Sequence, residues 1–341
     1  METPSPKSPW IALWILFGIN TINFYDRQII GAVGEMIRKD WVLSDTLMGT
    51  LGTAFILMYA AVGVPFGRLS DTWSRRKMLG IGVSVWSLLT ASSGLASNFT
   101  WLFVSRLGVG VGEASCAPAA NSLIGDLFPP RKRGLALSVF MLGLPIGIFL
   151  SYRVSGLIVQ AYSWREAFYF ACIPGLILGA VAFWLPEPKR GAAEGIASGS
   201  MQRSGSPYWV VLGIPTIGWI IISGALHNFN TYAINAFMPS FLMRTHLMGI
   251  KDATNVSSIV LGAVGVIGML GGGWGADRLG RTRPNGKLLL AAIAMCVAAP
   301  CIYLALKQAP GATIPFMLLM GTGTMFSYTY YACVYASIQD V

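Results

Sequence analysis

The stretch GRLSDTWSRRK, residues 67–77, decides how the chain is read. An apolar run of about twenty residues enters it and another leaves it, each long enough to cross a bilayer as a helix. Within it Gly67, Asp71, Ser74 and Arg75 keep a fixed order. The same grammar returns in GGWGADRLGR as Gly273, Asp277, Gly280 and Arg281, with both Gly–Asp spacings and both Asp–Arg spacings equal to 4. The two Asp residues lie 206 positions apart. A charged hairpin that recurs between hydrophobic spans half a protein apart marks a duplicated membrane carrier. Two unrelated basic loops of a membrane protein would not need to share the Gly and Asp spacing.

Composition agrees. Of 341 residues, 54% are hydrophobic and only 11% charged, with a mean hydropathy of +0.61. A soluble globule carries roughly 25% charged residues, so the solvent here is mostly lipid and the fold class is an all-α membrane protein. The net charge is +10, with the basic residues in short loops beside apolar runs. That distribution suits anionic headgroups and membrane topology rather than nucleic acid. The five cysteines (116, 172, 296, 301 and 333) lie in or at the ends of apolar runs without a CxxC pair. They read as small core residues, with neither a disulfide nor a metal site. No HExxH, GxSxG or P-loop is present, which argues against an intramembrane enzyme or a nucleotide-driven pump, and no cofactor is expected. METPSPKSP runs straight into a span too long for a signal h-region, so the first span is expected to be permanent.

Ten spans are expected, at 10–33, 46–70, 78–97, 101–125, 134–160, 166–185, 208–242, 255–276, 286–306 and 313–339. The seventh is over-long and is expected to break or cap near Pro239. Lys and Arg concentrate in the loops after spans 2, 4, 6 and 8, which places those loops and the N-terminus in the cytoplasm. The expected location is the plasma membrane, or the inner membrane in a bacterium. Residues 186–207 are polar and rich in Gly, Ser and Pro, and read as a linker. The domains are therefore an N-terminal bundle, 1–185, and a C-terminal bundle, 208–341. The first has six spans and the second four. In span 4 GVG precedes Ser122 and Asp126 just before PPRKR, and in span 10 GTG precedes Ser337 and Asp340, where the sequence stops. A six-plus-six duplication would then lack its last two of twelve spans, and the chain is expected to be truncated.

Five charges lie inside the spans, away from their ends: Asp26, Arg27, Arg106, Glu113 and Arg153. A charge at the bilayer centre costs at least about 2.5–3.5 kcal/mol, so each needs a partner, a wet cavity or a neutral form. Arg106 and Glu113 are seven apart and share one face of span 4. Asp26, Arg27, Arg106 and Glu113 could converge on one cavity wall, two acids and two bases at similar depth, as a proton relay. A snorkelling Asp26–Arg27 pair, a structural hydrogen bond from Glu113, an anchoring Arg106 and a snorkelling Arg153 are the alternatives. Span 7 carries HNFNTYAIN, with His227, Asn228, Asn230, Tyr232 and Asn235, uncharged groups suited to substrate contact or to joining helices. Asn23 and Tyr25 of span 1 are weaker candidates of the same kind. Asp71 and Asp277 end their helices with an Arg one turn on, which would satisfy each locally. Each could also cap a helix of the other half and hold an inner gate shut. Gly67, Arg75, Asp126, Gly273 and Arg281 belong to that gating set.

GRLSDTWSRRK resembles the loop 2–3 signature of the major facilitator superfamily, and RLGVGVGE (106–113) resembles its span 4 signature. NFYDR (23–27), RLGVGVGEASCAPAANSLIGDLF (106–128), PPRKRG (129–134) and GLPIG (143–147) resemble the Spinster branch. The resemblance implies twelve spans in two six-helix bundles related by pseudo-twofold symmetry, alternating access and proton-linked transport, with a monomer as the working unit. It implies amphipathic lipids, lysophospholipids or sphingoid phosphates, or drug-like amphiphiles as substrates, with Asp26, Arg27 and Glu113 as the coupling group. NFYDR and the Glu-bearing span 4 also resemble the organic anion–cation symporters of the superfamily, which makes an organic anion–proton symporter the alternative. The Gly-Pro pair of antiporters is Gly143-Leu144-Pro145 here, which leaves antiport and symport open.

Overall fold

A computed structural model describes residues 9–194, 213–283 and 285–338. They are helical almost throughout. In chain order the helices are α1 (Pro9–Asp40), α2 (Asp45–Thr72), α3 (Arg75–Gly94), α4 (Phe99–Glu113), α5 (Cys116–Leu127), α6 (Pro130–Met141), α7 (Gly143–Ala161) and α8 (Trp164–Ala182). A short 3₁₀ turn, Ala192–Glu194, follows. Then come α9 (Pro215–Thr245), α10 (Ile250–Ser257), a π-helical turn (Ser258–Ala263), α11 (Val264–Thr282), α12 (Gly286–Leu306) and α13 (Thr313–Ile338). The chain divides into two compact units, Met1–Met201 and Gln202–Val341. The stretch expected as a linker, 186–207, is described only to Glu194, and Asp340 lies outside the described residues.

Local sequence sets the ends of these helices. Ser44, Ser74 and Asn98 cap α2, α3 and α4 by accepting from backbone N–H groups one turn on. Ser163 and Glu166 form a capping box on α8. Such caps satisfy donors that helix starts leave unpaired. Two expected spans are each interrupted once, by proline. Pro118 cannot donate to the carbonyl of Ala114, and the span parts into α4 and α5 there. Pro145 cannot donate to Met141, and α6 parts from α7 at Leu142. Each break is the expected price of a missing N–H inside a helix. Pro239 behaves otherwise. The expected break is absent, and α9 runs through it to Thr245. One lost hydrogen bond is absorbed because the flanking residues Met238, Ser240 and Leu242 are buried and hold the helix in place.

Among the described residues, five helical stretches are long and apolar enough to cross a membrane by length and composition: Asp45–Thr72, Pro130–Ala161, Trp164–Ala182, Ile250–Thr282 and Gly286–Leu306. The other expected spans miss that measure. The apolar run of α1, for one, is interrupted by Asn20, Asn23, Asp26 and Arg27. Burial is distributed as lipid requires. Large apolar side chains such as Leu57, Val64, Ile177, Trp219, Phe229 and Ile314 are exposed, while Asn20, Asp26, Arg106, Glu113 and His227 are buried. A large exposed apolar surface over a polar interior fits a hydrocarbon solvent.

Two glycines set the close approaches that place the interior charges. A Cβ at Gly147 would meet the carbonyl of Thr21 and lie 2.9 Å from Phe24 Cβ. This brings α7 against α1 one turn from Asp26. A Cβ at Gly112 would lie 2.8 Å from Trp86 Cβ, which brings α4 against α3 beside Glu113. Leu13, Leu16, Val83, Trp86, Val109 and Leu123 fill the core around them. In the second unit Ile220, Ala276, Ala291, Tyr330, Cys333 and Val334 form a smaller cluster.

Candidate functional site: buried ions in one unit, neutral groups in the other

Asp26 and Arg27 are adjacent on α1, so they project about 100° apart. Each therefore meets a different neighbour. Arg27 Nε donates to Glu113 Oε2 at 2.6 Å, with the two side chains 7% and 0% exposed. The guanidinium also lies over three aromatic faces, 4.4 Å from Tyr59, 4.8 Å from Phe24 and 5.4 Å from Phe55. These contacts hold a desolvated cation in place. Asp26, fully buried, accepts from Thr90 Oγ1 at 3.5 Å, and Arg106 Nη2 donates to the same hydroxyl at 3.3 Å. Arg106 also donates twice to Ser93 Oγ, at 3.0 and 3.2 Å, and weakly to the Asp26 carbonyl at 3.5 Å.

The four charged residues gather in crossed pairs. Arg27 takes Glu113, and Asp26 reaches Arg106 through a hydroxyl on α3. No ion pair joins Arg106 to Glu113 among the described residues, although they share a helix face. Asp26 Oδ1, Glu113 Oε1 and Asn23 Nδ2 are buried without a hydrogen-bond partner among the described residues. A carboxylic acid can fill such a vacancy by gaining a proton and becoming a donor. Tyr25 is buried nearby and Arg153 is half-buried. Sequence reasoning missed Thr90 and Ser93, which clothe Arg106. The hydroxyl-rich TASS run, 90–93, was their signal. It also missed Glu35, 2% exposed and paired with Arg38 at 2.9 Å, because α1 runs on beyond residue 33 to Asp40.

The repeated hairpin needs a correction. Asp71 is exposed and makes no ion pair among the described residues. Arg75 turns from it into a buried network. It donates to Asp126, to Ser122 Oγ at 3.1 Å, to Glu187 Oε1 at 2.9 Å and to the Pro188 carbonyl at 2.6 Å. The reason lies in the cap. Ser74 ends the turn and starts α3, so Arg75 sits at the first helical position and aims inward. Glu187, unforeseen from sequence, also accepts from Ser74 Oγ and from the backbone N–H of Arg75 and Arg76. Burial pushes its carboxyl upward, but these bonds outweigh it and hold the group below the usual glutamate range. Gly191 N–H donates to Asp126 at 2.9 Å, and Arg190 donates to the carbonyls of Ser70 and Trp73. Asp277 and Arg281 are exposed and form no ion pair among the described residues, so local satisfaction of Asp277 is not observed. At Gly67 and Gly273 an added Cβ would meet nothing within 4 Å among the described residues.

The second unit holds the span 7 residues. His227 is 3% exposed, and neither ring nitrogen has a hydrogen-bond partner among the described residues. It packs against Tyr330 and Tyr331, with ring centroids 4.4 and 4.7 Å away. Asn228 accepts from Tyr331 OH at 2.5 Å and donates to the Gly224 carbonyl at 2.9 Å. Asn230 and Asn235 line a small cavity together with Tyr331, Thr324 and Ser327; His227, Asn228 and Tyr232 do not. No cluster of three metal-ligating side chains occurs among the described residues.

A sequence profile of the Major Facilitator Superfamily matches residues 16–341. An MFS-type efflux pump of Mycolicibacterium smegmatis is 27% identical over 88% of this chain and 70% of its own length. Protein spinster homolog 3 of Danio rerio is 30% identical over 89% of this chain and 64% of its own, so the chain spans a little under two thirds of that relative. Among solved structures, a bacterial homologue of the human lysosomal transporter Spinster, in an inward-facing and unoccupied conformation, superposes with a TM-score of 0.84. It is 26% identical, over 97% of this chain and 75% of that one. The fold is thus an all-α, multi-span membrane fold of the major facilitator kind. The chain belongs to the major facilitator superfamily, a family of transporters rather than enzymes, and its Spinster-named relatives support a place in the Spinster-like branch.

Proposed function

We propose that the chain is the core of a proton-coupled secondary-active transporter that works by alternating access. Its substrates are amphipathic lipids of lysophospholipid or sphingolipid type, or drug-like amphiphiles. The observation that carries this reading is the buried Arg27–Glu113 pair beside Asp26. A proton arriving on Glu113 discharges the carboxylate and weakens its bond to Arg27. The guanidinium is then available to an anionic headgroup, still steadied by Tyr59, Phe24 and Phe55. Loss of the proton restores the pair and expels the headgroup. Asp26, linked to Arg106 through Thr90, gives the proton a second acceptor in the same interior. The Spinster resemblance supports a lipid as cargo.

The same proposal takes in a twelve-span carrier of which this sequence holds ten spans, with bundles 1–185 and 208–341 and a linker at 186–207. The 75% coverage of the Spinster homologue supports it. It also takes in a monomer in the plasma membrane with a cytoplasmic N-terminus, supported by the distribution of Lys and Arg. Gly67, Asp71, Arg75, Asp126, Gly273, Asp277 and Arg281 serve gating. Asn23, Tyr25, Arg153 and the polar residues of span 7 serve substrate contact.

The test is reconstitution of the full chain in proteoliposomes with a pH-sensitive dye inside. Lysophospholipid added on one side is expected to move protons. Proton movement with small organic anions and none with lysophospholipids would replace the lipid by the organic anion–proton alternative. Lipid-driven proton movement that Asp26→Asn and Glu113→Gln leave unchanged would remove the coupling assignment.

A further inference from the structure

The cavity in the second unit lies among α9, the π-helical turn, α12 and α13. Its polar wall is Asn230, Thr231, Asn235, Thr324, Ser327, Tyr328 and Tyr331, and no charged side chain lines it. A π turn, a proline and a close-packed glycine surround it. Leu261, on its wall, belongs to the π-helical turn Ser258–Ala263. Ile302, also on the wall, follows Pro300 inside α12 by two residues. Gly323 precedes Thr324, and a Cβ there would lie 2.6 Å from Ile302 Cγ1. A π turn and a proline each spoil helix packing, and π turns recur where a helix makes room for function.

The wall is also incomplete. Ser327 is 7% exposed, and its Oγ has no hydrogen-bond partner among the described residues. A buried hydroxyl left so loses the bonds it had in water, and such groups are rare unless something visits them. The free space is about 20 Å³, room for one water-sized group. A phosphate or an ammonium head does not fit, and the wall offers no countercharge to either.

We infer that this cavity is a seat for one uncharged hydroxyl of the substrate. Ser327 and Thr324 supply the hydrogen bonds, with Asn230, Asn235 and Tyr331 on the same wall. The inference rests on the lipid reading above and narrows it. A lysophospholipid carries one free hydroxyl on its glycerol, which a diacyl lipid has esterified. A seat of this size and polarity admits the first and rejects the second.

The test uses the full chain in detergent or nanodiscs and two probes, oleoyl lysophosphatidic acid and its 2-deoxy analogue. They share charge and acyl chain and differ by one hydroxyl. The unmodified chain is expected to bind the hydroxylated probe about three- to tenfold more tightly, the range of one neutral hydrogen bond. Ser327→Ala and Thr324→Val are expected to bring that ratio toward one, with affinity for the deoxy probe retained. Ser327→Ala is expected to melt no lower than the parent, because the hydroxyl it removes has no partner. Equal binding of the two probes by the unmodified chain overturns the seat while leaving the lipid reading in place. A ratio that both variants preserve does the same. Failure of both probes to bind overturns the lipid reading and the seat with it.

Discussion

Arg75 and Arg281 hold the same place in two copies of one motif, eight residues after Gly67 and Gly273 respectively, yet their surroundings differ. Arg75 is 1% exposed and donates to Asp126, Ser122, Glu187 and Pro188. Arg281 is exposed in the last turn of α11. The interiors diverge in the same way. The first unit buries guanidinium and carboxylate groups, whereas the second buries imidazole, amide and phenol. A repeated motif keeps its spacing; the chemistry around each copy is set by what packs on it. A buried ion needs counter-ions, hydroxyls or aromatic faces around it, while a neutral interior can leave one hydroxyl and a small space unfilled.

That contrast is most exposed to attack at Glu113. Glu113→Gln is expected to abolish substrate-driven proton movement in proteoliposomes while counterflow persists. Tyr331→Phe, which removes the hydroxyl bonded to Asn228, is expected to keep the pH dependence and shift apparent affinity a few-fold. Equal loss of pH dependence in both would erase the division between the units.

The two arginines give the next comparison. Arg75→Ala takes the guanidinium from Asp126 and Glu187 and is expected to cost about 3 kcal/mol of stability, near the lower end for breaking a buried ion pair. Arg281→Ala is expected to cost under about 0.5 kcal/mol, as exposed positions do. Thermal melting of purified protein in one detergent measures both. The glycines come third. Gly147→Ala drives a methyl into the Thr21 carbonyl and is expected to cost about 1–3 kcal/mol by overpacking. Gly273→Ala, with open space around it, is expected to be neutral or to stabilise by up to about 1 kcal/mol. An effect of Gly273→Ala on transport rate alone would then report gating.

The smallest effect is in pH. Glu187 is held below its usual range when folded, so the unfolded chain binds its proton more readily. The stability it contributes is present above the unfolded value, near 4.5, and is lost as pH falls through the folded value. Melting temperature is expected to be flat near neutrality and to drop on acidification, with a shallower drop in Glu187→Gln. Partial exposure of Glu187 keeps the difference small.

The fold class was legible because lipid dictates composition and span length, and the motif spacing survives in the raw sequence. The four interior charges were legible because so few charges enter the spans. Their pairing was not. It depends on the 100° turn between Asp26 and Arg27 and on how close α4 lies to α1, which no local pattern encodes. Glu187 was hidden in a stretch read as a polar linker, since a carboxylate capping a helix 112 residues earlier leaves no periodic trace. Pro239 misled because proline breaks a helix only where packing does not hold the two sides in line.

The breaks at Pro118 and Pro145 have a mechanical meaning. The hairpin of α5 and α6 hangs between two joints, one directly after Glu113 and one directly before Gly143. At each joint a backbone carbonyl has already given up its helical donor, so flexing costs no further bond there. The backbone directly after Glu113 can therefore turn without breaking a further bond, which puts a hinge beside the acid.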